Sequence, residues 1–317
     1  MFEIFFSGIG IDISEHHVRI AHVGCFGRVK QTKEFEMDEG IVVDEKIVKP
    51  DELNRVVQNG VMDMGVSLKR VRTVCLIPES RVFSTSFLLP RHLSALAFVH
   101  QAKCCAQKEI PILLDDAKVA ISKGAEEEGC VRTTVYAVQT PVFDGLISAF
   151  PAGDCRLIAI EANTKAVFRL FQSFGLKELR QASNDQCFGV FDIGNSWATF
   201  AFYTKAGSSI FSRTIFCKKS SHKILVDAAC EAMKFFDGKE LLLTLIVLSG
   251  AESADPKLKD AFTSSMKNIP VVLLHDCVNS TFDEEIDIQK FGAAIGAAWR
   301  AARPHKFSYQ HNFLDVI

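Results

Sequence analysis

Apolar and polar residues alternate over residues 9–35, and this two-residue period is typical of β-strands. Gly24 and Gly27 interrupt the alternation with turn-forming residues, so we predict two or three strands here. From Pro50 the apolar positions recur at helical spacing behind a proline and acids, which is typical of a helix N-terminus. Val71–Pro78 is a mostly apolar run that ends at proline and indicates a buried strand. The first segment is therefore predicted as β-β-β-α-β.

The stretch from Arg81 to Phe150 follows a different order. Its periodicity, prolines and polar loops predict a strand, a helix, two strands and a second helix over 81–89, 93–108, 116–122, 131–139 and 141–150. This β-α-β-β-α order is typical of a compact α+β subdomain inserted between other elements. A strand over 155–160 and a helix over 162–174 follow it.

The opening pattern returns in the second half of the chain. The predicted strands there are 189–193, 198–203, 209–216, 241–249 and 271–274, with a helix over 223–236 after the third strand. A helix over 291–303 is rich in glycine and alanine, so it can pack closely against a neighbouring element. The tail from Pro304 mixes polar and aromatic residues without a period, and we predict that it is irregular.

Two similar turns point to the chemistry of the chain. Gly10–Ser14 and Phe191–Asn195 each bring an aspartate to the end of an apolar strand, and a β-rich segment follows each of them. The backbone N–H groups of such a hairpin can face a phosphate. Two copies of the turn predict two similar half-domains that close on one nucleotide.

Composition and charge narrow the classes of function. The 317 residues are 48% hydrophobic and 23% charged with a formal net charge of -2, which suits a globular protein with room for two domains. The chain lacks the basic patch of a nucleic-acid binder, and no run approaches the roughly 20 apolar residues of a membrane span. The N-terminus has no basic n-region, so we predict no signal peptide and a cytoplasmic location. Ten cysteines without a Cys-x-x-Cys pair predict reduced thiols rather than disulfides or a zinc site.

The duplicated β-β-β-α-β unit, the two aspartate turns and Leu248–Glu252 together resemble the actin/Hsp70/sugar-kinase ATPase superfamily. The resemblance implies an α/β protein with a duplicated actin-like (ribonuclease H-like) ATPase fold and a small inserted α+β subdomain. Within the superfamily, the chain resembles the type IV pilus assembly protein PilM over essentially its whole length. The segments that carry this resemblance are 40–53, 77–90, 107–111, 211–213 and 294–300. The cytoplasmic domain of GspL of type II secretion shares the architecture and stays an alternative.

The resemblance also implies a division into subdomains. Residues 1–80 and 154–186 would form an actin-like subdomain 1A, and residues 81–153 the inserted, 1C-like subdomain. Residues 187–288 would form the second half, a subdomain 2A with a reduced 2B. The helix over 289–303 would pack on the core and precede the tail, 304–317.

The same resemblance implies an ATP site that draws on both turns. In the first turn, Arg19 takes the place of a phosphate-contacting lysine, and in the adenosine motif Gly250 lies against the base. The implied nucleotide-binding residues are Asp12, Ser14, Arg19, Asp192, Gly194, Asn195, Thr199, Ser249 and Gly250. Asp12 and Asp192 would hold Mg²⁺ through water, as carboxylates commonly do.

Departures from the superfamily pattern leave a second interpretation open. Ser14 stands in place of the usual glycine and Glu15 in place of a small hydroxyl residue, so a carboxylate faces the phosphates. Ala251 replaces the second glycine of the adenosine motif, and Trp197 is bulky beside the second turn. The turns are either a working ATP clamp or vestigial hairpins of a pseudo-ATPase. Glu161 is either the water-activating acid or a carboxylate favoured by a helix N-terminus.

The resemblance implies a cytoplasmic scaffold of a type IV pilus or type II secretion machine, peripheral at the inner membrane. It would bind a short cytoplasmic peptide of a PilN-like or GspL/GspM-like bitopic partner in a groove between the first subdomain and the insertion. Self-association is left open. An alternative is a sugar or small-molecule kinase of the same fold, and ATPase activity is expected to be weak at most.

The tail itself contains a segment related to that partner peptide. Gln310–Asp315 resembles the short Asn-Leu-Leu motif by which PilN binds PilM. The tail would then occupy the groove, in its own chain or in a neighbour. The alternative is a disordered terminus.

Overall fold

Strands and helices alternate along the part of the chain that the structure describes. The computed structural model describes residues 6–25, 27–174, 179, 181–183, 185–217, 222–237, 241–266, 268–278, 282, 285–304 and 312–314. The strands are β1 (Gly8–Ile13), β2 (His17–Val23), β3 (Val29–Glu36), β4 (Val42–Val43), β5 (Lys46–Ile47), β6 (Arg72–Ile77), β7 (Val82–Pro90), β8 (Ala117–Glu127), β9 (Cys130–Gln139), β10 (Arg156–Ala162), β11 (Gln186–Ile193), β12 (Trp197–Thr204), β13 (Ser209–Phe216), β14 (Leu242–Ser249) and β15 (Val271–Leu273). The α-helices are α1 (Pro50–Asp63), α2 (Ala95–Ala106), α3 (Thr140–Ala149), α4 (Asn163–Phe174), α5 (His222–Met233), α6 (Pro256–Ser265), α7 (Leu274–Val278) and α8 (Ile288–Ala302).

The chain folds as two compact units. The first consists of Met1–Ala166 and Ala293–Ile317, and the second of Val167–Gly292. The chain therefore leaves the first unit within α4 and returns to it within α8. The finer subdomain boundaries at 80, 153, 186, 288 and 303 stay a prediction.

A five-stranded sheet forms the centre of the first unit, with the strand order β3-β2-β1-β6-β10. β1, β2 and β3 pair antiparallel, whereas β6 lies parallel to β1 and β10 parallel to β6. Parallel neighbours need a crossover connection. α1 supplies the first crossover, and its apolar stripe, with Leu53, Val57 and Val61, is buried against the sheet's core.

The inserted subdomain lies between β6 and β10 in sequence. Its strands form an antiparallel sheet in the order β7-β9-β8, with α2 and α3 as its helices. This arrangement confirms the predicted β-α-β-β-α order. α2 buries Phe98, Ala102 and Ala106 in a core of its own, whereas α3 places Val142 and Phe143 in the core of the first sheet. The insertion is thus attached to the first sheet through shared apolar packing.

The second unit repeats the central sheet of the first. Its strand order, β13-β12-β11-β14-β15, has three antiparallel strands followed by two parallel ones, with α5 between β13 and β14. The core includes several phenylalanines, of which Phe191, Phe200 and Phe262 are fully buried. The duplication predicted from the two aspartate turns is confirmed by this matching order.

Close backbone packing joins β1 to α8 within the first unit. A Cβ added at Gly10 would lie 2.0 Å from the carbonyl oxygen of Ala294, and one at Gly8 would lie 2.5 Å from that of Ala298. Only residues without a side chain allow this approach. The small-residue helix that the sequence predicts over 291–303 is confirmed, and it begins three residues earlier, at Ile288.

Three elements were not predicted from the pattern of the sequence: α6, the β4–β5 hairpin and the five-residue helix α7. α6 begins at Pro256 behind Asp255, whose side chain accepts a hydrogen bond from the backbone N–H of Lys257 at 2.9 Å. It buries only Leu258 and Phe262, which is too few apolar positions for a period to be recognised. The β4–β5 hairpin has strands of two residues each, which are too short to show alternation.

Candidate functional site

The first aspartate turn is closed by its own backbone and by a serine. The backbone N–H of Ser14 donates to the carbonyl oxygen of His17 at 2.9 Å, and the Ser14 hydroxyl donates to the same oxygen at 3.0 Å. The backbone N–H of His17 in turn donates to Ser14 Oγ at 3.2 Å. Ser14 therefore uses its hydroxyl within the turn, and its place in the hairpin does not require glycine.

Arg19 lies between two carboxylates on neighbouring strands. It faces Asp12 across β1 and β2, with Arg19 Nη1 and Asp12 Oδ2 3.8 Å apart, and its Nε donates to Glu34 Oε2 on β3 at 2.7 Å. The side chains of Arg19 and Asp12 are only 14% and 18% exposed, so water screens the pairing weakly. The predicted phosphate-contacting cation is already neutralised by its own sheet.

A second acid beside this turn was not predicted. Glu45 lies in the turn between β4 and β5, where Asp44 and Glu45 both have positive φ, 47° and 57°. The Ser80 hydroxyl donates to Glu45, and Arg81 Nε lies 4.0 Å from its carboxylate. Burial raises the pKa of Glu45, the Ser80 and Arg81 contacts lower it, and the nearby Glu15 raises it further. The surroundings of the first turn are thus rich in acids.

The second aspartate turn repeats the geometry of the first. The backbone N–H of Gly194 donates to the carbonyl oxygen of Trp197 at 2.9 Å, the same bond that Ser14 makes to His17. A Cβ added at Gly194 would lie 3.3 Å from the Trp197 oxygen, and Asn195 beside it is exposed. The backbone of this turn is therefore equivalent to that of the first turn.

Asp192 is held at the end of β11 by the adenosine motif. Ser249, its register partner on β14, donates from Oγ to Asp192 Oδ1 at 3.0 Å. Gly250 follows with φ +95°, and a Cβ there would lie 2.4 Å from the oxygen of Ile193 and 2.7 Å from Asp192 Oδ1. Glycine is required at this position on both counts. Asp192 is partly exposed, and it keeps carboxylate surface from which a water-mediated Mg²⁺ can be bound.

A buried glutamine fixes the loop after Gly250. Gln289, at the start of α8, donates from Nε2 to the carbonyl oxygen of Leu248 at 2.8 Å and also to Ser253 Oγ. Its own carbonyl accepts from the backbone N–H of Gly250 at 3.0 Å. The end of β14 is thereby anchored by neutral hydrogen bonds. The sequence offered no sign of this role, because Gln289 is 41 residues from its strand partner.

Thr199 and Trp197 take structural positions on the second sheet. Thr199 is buried, and its hydroxyl pairs with that of Thr214 on β13 at 3.0 Å. Trp197 packs edge-to-face on Phe216, with ring centroids 5.1 Å apart. The structure therefore brings Asp192, Ser249 and Gly250 together at the end of the sheet and has Thr199 facing Asp192 in register.

Glu161 is completely buried on β10 and paired with a cation. Arg300 on α8 donates from Nη1 to Glu161 Oε2; the Arg300 side chain is 5% exposed and that of Glu161 is 0% exposed. A buried carboxylate requires such a partner. The pair gives Glu161 a structural role in the first unit, and a role as water-activating acid stays a prediction.

The cysteines and the acids form no further site in the described part of the chain. All ten cysteines lie in that part, and each is a free thiol. Burial raises the pKa of Cys187 to about 12 and that of Cys155 to about 11, so both stay protonated at neutral pH. No group of three or more potential metal ligands is present among the described residues.

An edge of the first sheet carries a segment from the tail. Among the described strands β10 pairs only with β6, so the Ile158 and Ile160 peptide groups on its other side face away from the sheet. The backbone N–H of Phe313 donates to the carbonyl oxygen of Ile160 at 3.1 Å. The described tail residues 312–314 thus extend the hydrogen bonding of β10 outward, which is how sheets recognise extended peptides.

The side-chain amide of Asn312 makes the hydrogen bonds to this edge that a backbone peptide group of a neighbouring strand would make. Its Oδ1 accepts from the backbone N–H of Ile160 at 3.1 Å, and its Nδ2 donates to the carbonyl oxygen of Ile158 at 3.0 Å. Oδ1 also accepts from the backbone N–H of Leu314 at 3.1 Å, and this bond closes a turn over the two residues that follow the asparagine. A side chain with one acceptor and one donor in this geometry is required here, and asparagine is the short side chain that has both.

Apolar burial accompanies these hydrogen bonds. Phe313 is 3% exposed and belongs to the same core as Ile160 and Ala162 of β10 and as Tyr136 and Phe143 of the insertion. Leu314 packs against that core while partly exposed. The segment therefore lies where the first sheet and the insertion share their core, in the region where a peptide groove was predicted. No regular element is found among the described tail residues, whereas 305–311 and 315–317 lie outside the described part.

Comparison with known protein families decides the identity. A family model described as "Type IV pilus assembly protein PilM" matches residues 10–217, which is more than half of the chain. The chain belongs to the PilM family. No curated protein sequence matches it.

Solved structures show the same fold. The chain is similar to the structure described as "PilM-PilN type IV pilus biogenesis complex", with a TM-score of 0.76 and 15% identity over 94% of this chain and 99% of that one. It is also similar to a protein of unknown function with an actin-like ATPase fold from Bacteroides thetaiotaomicron, with a TM-score of 0.51 and 10% identity over 91% and 95% of the two chains. These likenesses confirm the duplicated actin-like fold.

The type II secretion alternative also has a counterpart among solved structures. The cytoplasmic domain of EpsL, an inner-membrane component of the Vibrio cholerae type II secretion system, has a TM-score of 0.47 and 10% identity over 81% of this chain and 93% of that one. At this similarity it carries no argument, and the PilM family model decides between the two. None of the helices in the described ranges combines the length and the apolar composition that crossing a bilayer takes.

Proposed function

We propose that this member of the PilM family is a cytoplasmic scaffold of type IV pilus assembly that holds a short extended peptide of a PilN-like inner-membrane protein. The scaffold would lie at the inner membrane through that partner. The partner peptide would bind along β10, beside the insertion. Self-association is not part of the proposal.

The peptide proposal rests on the hydrogen bonds and apolar contacts that Asn312–Leu314 makes with β10. Ile158 and Ile160 offer unpaired edge groups of the first sheet, and an asparagine amide together with a backbone N–H satisfies them. The apolar residues after the asparagine enter the core shared by the sheet and the insertion. An extended peptide with an asparagine followed by two apolar residues would make the same contacts.

We further propose that Mg-ATP binds through the turn of the second unit. Asp192 would hold Mg²⁺ through water. Gly250, which has no side chain, would let the nucleotide come close to the backbone, and the N–H groups of Gly194 and Asn195 would donate hydrogen bonds to phosphate oxygens. The residues there fit such a ligand. In the first unit Arg19 is satisfied by Asp12 and Glu34, so its contribution to phosphate binding would be small. Bound nucleotide would act as a conformational effector of the scaffold rather than as a substrate.

A titration of a labelled peptide tests the peptide proposal. The probe is a fluorescein-labelled cytoplasmic peptide of a PilN-like protein that contains the Asn-Leu-Leu motif, and its binding to the full chain is followed by fluorescence anisotropy. We expect saturable binding that is lost when the probe's asparagine is replaced by alanine. In the chain, Ile160→Pro removes the edge N–H and should abolish binding, whereas Ile160→Val keeps it and should preserve binding.

Two outcomes would overturn the peptide proposal. One is the absence of saturable binding by the wild-type chain and by a chain whose tail contact has been removed, Asn312→Ala. The other is equal binding of the asparagine and alanine probes, since the edge amide contact would then contribute nothing.

The nucleotide proposal is tested by thermal unfolding with and without Mg-ATP. Binding to the folded state raises the midpoint by mass action. We expect a rise at millimolar Mg-ATP that is absent in Asp192→Ala. An unchanged wild-type midpoint would identify the turns as vestigial hairpins, and appreciable phosphoryl transfer to a sugar would favour the kinase alternative.

A further inference from the structure

The tail segment Asn312–Leu314 is held on β10 by contacts that an exchangeable peptide would make. Hydrogen bonds from the Asn312 amide and the Phe313 N–H attach it to Ile158 and Ile160, and one aromatic ring is buried. Neither the central sheet nor the insertion contains this segment as a strand. It is an occupant of the edge rather than a part of the sheet.

The segment is close in sequence to the rest of the first unit. Seven residues separate Pro304, the last described residue before it, from Asn312, and the eight steps from one Cα to the next reach at most about 27 Å. A tethered peptide of this reach has an effective local concentration in the millimolar range. A free peptide therefore competes with an occupant that is always near its site.

The contacts also define what can replace the tail. The amide of Asn312 satisfies both the N–H of Ile160 and the carbonyl of Ile158, and neither aspartate nor alanine can do this. Phe313 enters the shared core, and Leu314 packs at its border. The surface fits an extended peptide with the order asparagine, apolar residue, apolar residue.

We infer that the C-terminal segment is an intramolecular competitor of the partner peptide: it occupies the β10 edge of its own chain until a peptide of the same chemistry displaces it. This inference rests on the proposed function, because the displaced site is the proposed partner site. The tail would keep the sheet edge covered before assembly, which protects an otherwise open edge from unwanted pairing.

The test uses the full chain and its own tail as the probe. A fluorescein-labelled synthetic peptide with the sequence of residues 308–317 is titrated by fluorescence anisotropy into the wild type, Asn312→Ala and Asn312→Asp. In Asn312→Ala the tail no longer occupies the β10 edge, so the apparent affinity for the probe is no longer reduced by the fraction of chains in which the tail is bound. We expect Asn312→Ala to bind the probe about tenfold tighter than the wild type, or more.

Asn312→Asp and an altered probe are the controls. The aspartate keeps an acceptor for the N–H of Ile160 but loses the donor to Ile158, so its affinity for the probe should lie between those of the other two chains. A probe with alanine in place of its asparagine should bind none of the three. Equal binding of the intact probe by the wild type and Asn312→Ala, or no binding by Asn312→Ala, would overturn the inference.

A measurement on the wild type covers the case in which a variant fails to fold. Hydrogen exchange of the Phe313 and Leu314 amides is followed with and without saturating unlabelled probe. Displacement of the tail should accelerate exchange at both amides, and unchanged exchange under saturation would contradict the inference.

The inference and the proposed function fail in distinguishable ways. If the tail probe binds Asn312→Ala but the PilN-like peptide does not, the proposed function fails and the competition stands. If the PilN-like peptide binds the wild type and Asn312→Ala equally, the competition fails and the proposed function stands.

Discussion

The first and second units have central sheets with the same strand order, and the turn after the first strand of each sheet closes with the same hydrogen bond. That bond runs from Ser14 to His17 in one unit and from Gly194 to Trp197 in the other, at 2.9 Å in both. The backbone of the duplicated turn is therefore independent of whether serine or glycine occupies its first position.

The two sheets differ in their charges and at their edges. Near the first turn lie three acids, Asp12, Glu34 and Glu45, and the pKa of Glu45 is raised. In the second turn, Asp192 accepts a hydrogen bond from the Ser249 hydroxyl. At the edge, β10 has seven residues and an occupant from the tail, while β15 has three and runs directly into α7. On the functions proposed above, one duplicated scaffold would offer a peptide edge in one unit and a phosphate-binding turn in the other.

The largest expected effect on stability comes from a comparison of the Glu161–Arg300 ion pair with the neutral hydrogen bonds of Gln289. Glu161→Ala leaves Arg300 buried without its carboxylate and should lower the free energy of unfolding by about 3–5 kcal/mol. Gln289→Ala removes neutral hydrogen bonds only and should cost about 1–3 kcal/mol. Denaturant unfolding measures both, and a greater loss for Gln289→Ala would refute the contrast.

A matched control accompanies the Glu161 variant. Replacing both Glu161 and Arg300 by methionine removes the charges together, so stability should be partly or fully regained relative to Glu161→Ala. If the double variant is no more stable than the single one, the ion pair is not what the alanine removed.

The packing of β1 on α8 gives the next largest effect. Gly10→Ala places a Cβ 2.0 Å from a backbone oxygen that cannot move aside, so we expect a loss of about 3 kcal/mol. Gly189→Ala, on the first strand of the second sheet, meets only side-chain atoms at 3.2 Å and should cost about 1 kcal/mol. Comparable midpoints in urea for the two variants would show that the first unit does not depend on this close approach.

The two glycines of the second site should respond unequally. Gly250→Ala combines positive φ with a contact at 2.4 Å to the Ile193 oxygen and should cost about 2 kcal/mol. Gly194→Ser copies Ser14 of the first turn and should change stability by less than about 0.5 kcal/mol. Thermal unfolding checks both, and strong destabilisation by Gly194→Ser would disprove the equivalence of the turns.

The smallest effect concerns pH and the acid beside the first turn. The pKa of Glu45 is raised in the folded state, so its ionised form opposes folding above that pKa and the penalty disappears as the pH falls through it. Glu45→Gln should therefore be more thermostable than the wild type at pH 7, with the difference closing as the pH falls through the raised pKa of Glu45. A difference that widens on acidification would mean that Glu45 is stabilised as a carboxylate.

Local patterns in the sequence were sufficient to predict the main features of the fold. Alternation over residues 9–35 and its return after Gly189 predict both three-stranded meanders, and the two aspartate turns predict the duplication that the strand orders confirm. The glycine–alanine helix was also predictable, because close packing needs small residues at repeated positions. α6 was not, since an N-cap, a proline and two buried side chains form no period.

The candidate site was harder to predict because its contacts join distant parts of the chain. Asn312 bonds to a residue 152 positions away, and Arg300 pairs with Glu161 across 139. The resemblance grouped Asp192, Ser249 and Gly250, which are in contact in the structure, and their joint role in binding a nucleotide stays a prediction. It could not show that Arg19 is already paired within its sheet, because Glu34 lies on a third strand whose register only the structure reveals.

Hydrogen exchange at β10 tests the central claim, that this edge is a site for an extended peptide. The experiment compares the β10 amides of full-length Asn312→Ala with and without the PilN-like peptide. We predict that the Ile160 amide exchanges faster in Asn312→Ala than in the wild type and that saturating peptide restores its protection. Exchange at Ile160 that saturating peptide leaves unchanged would contradict the account.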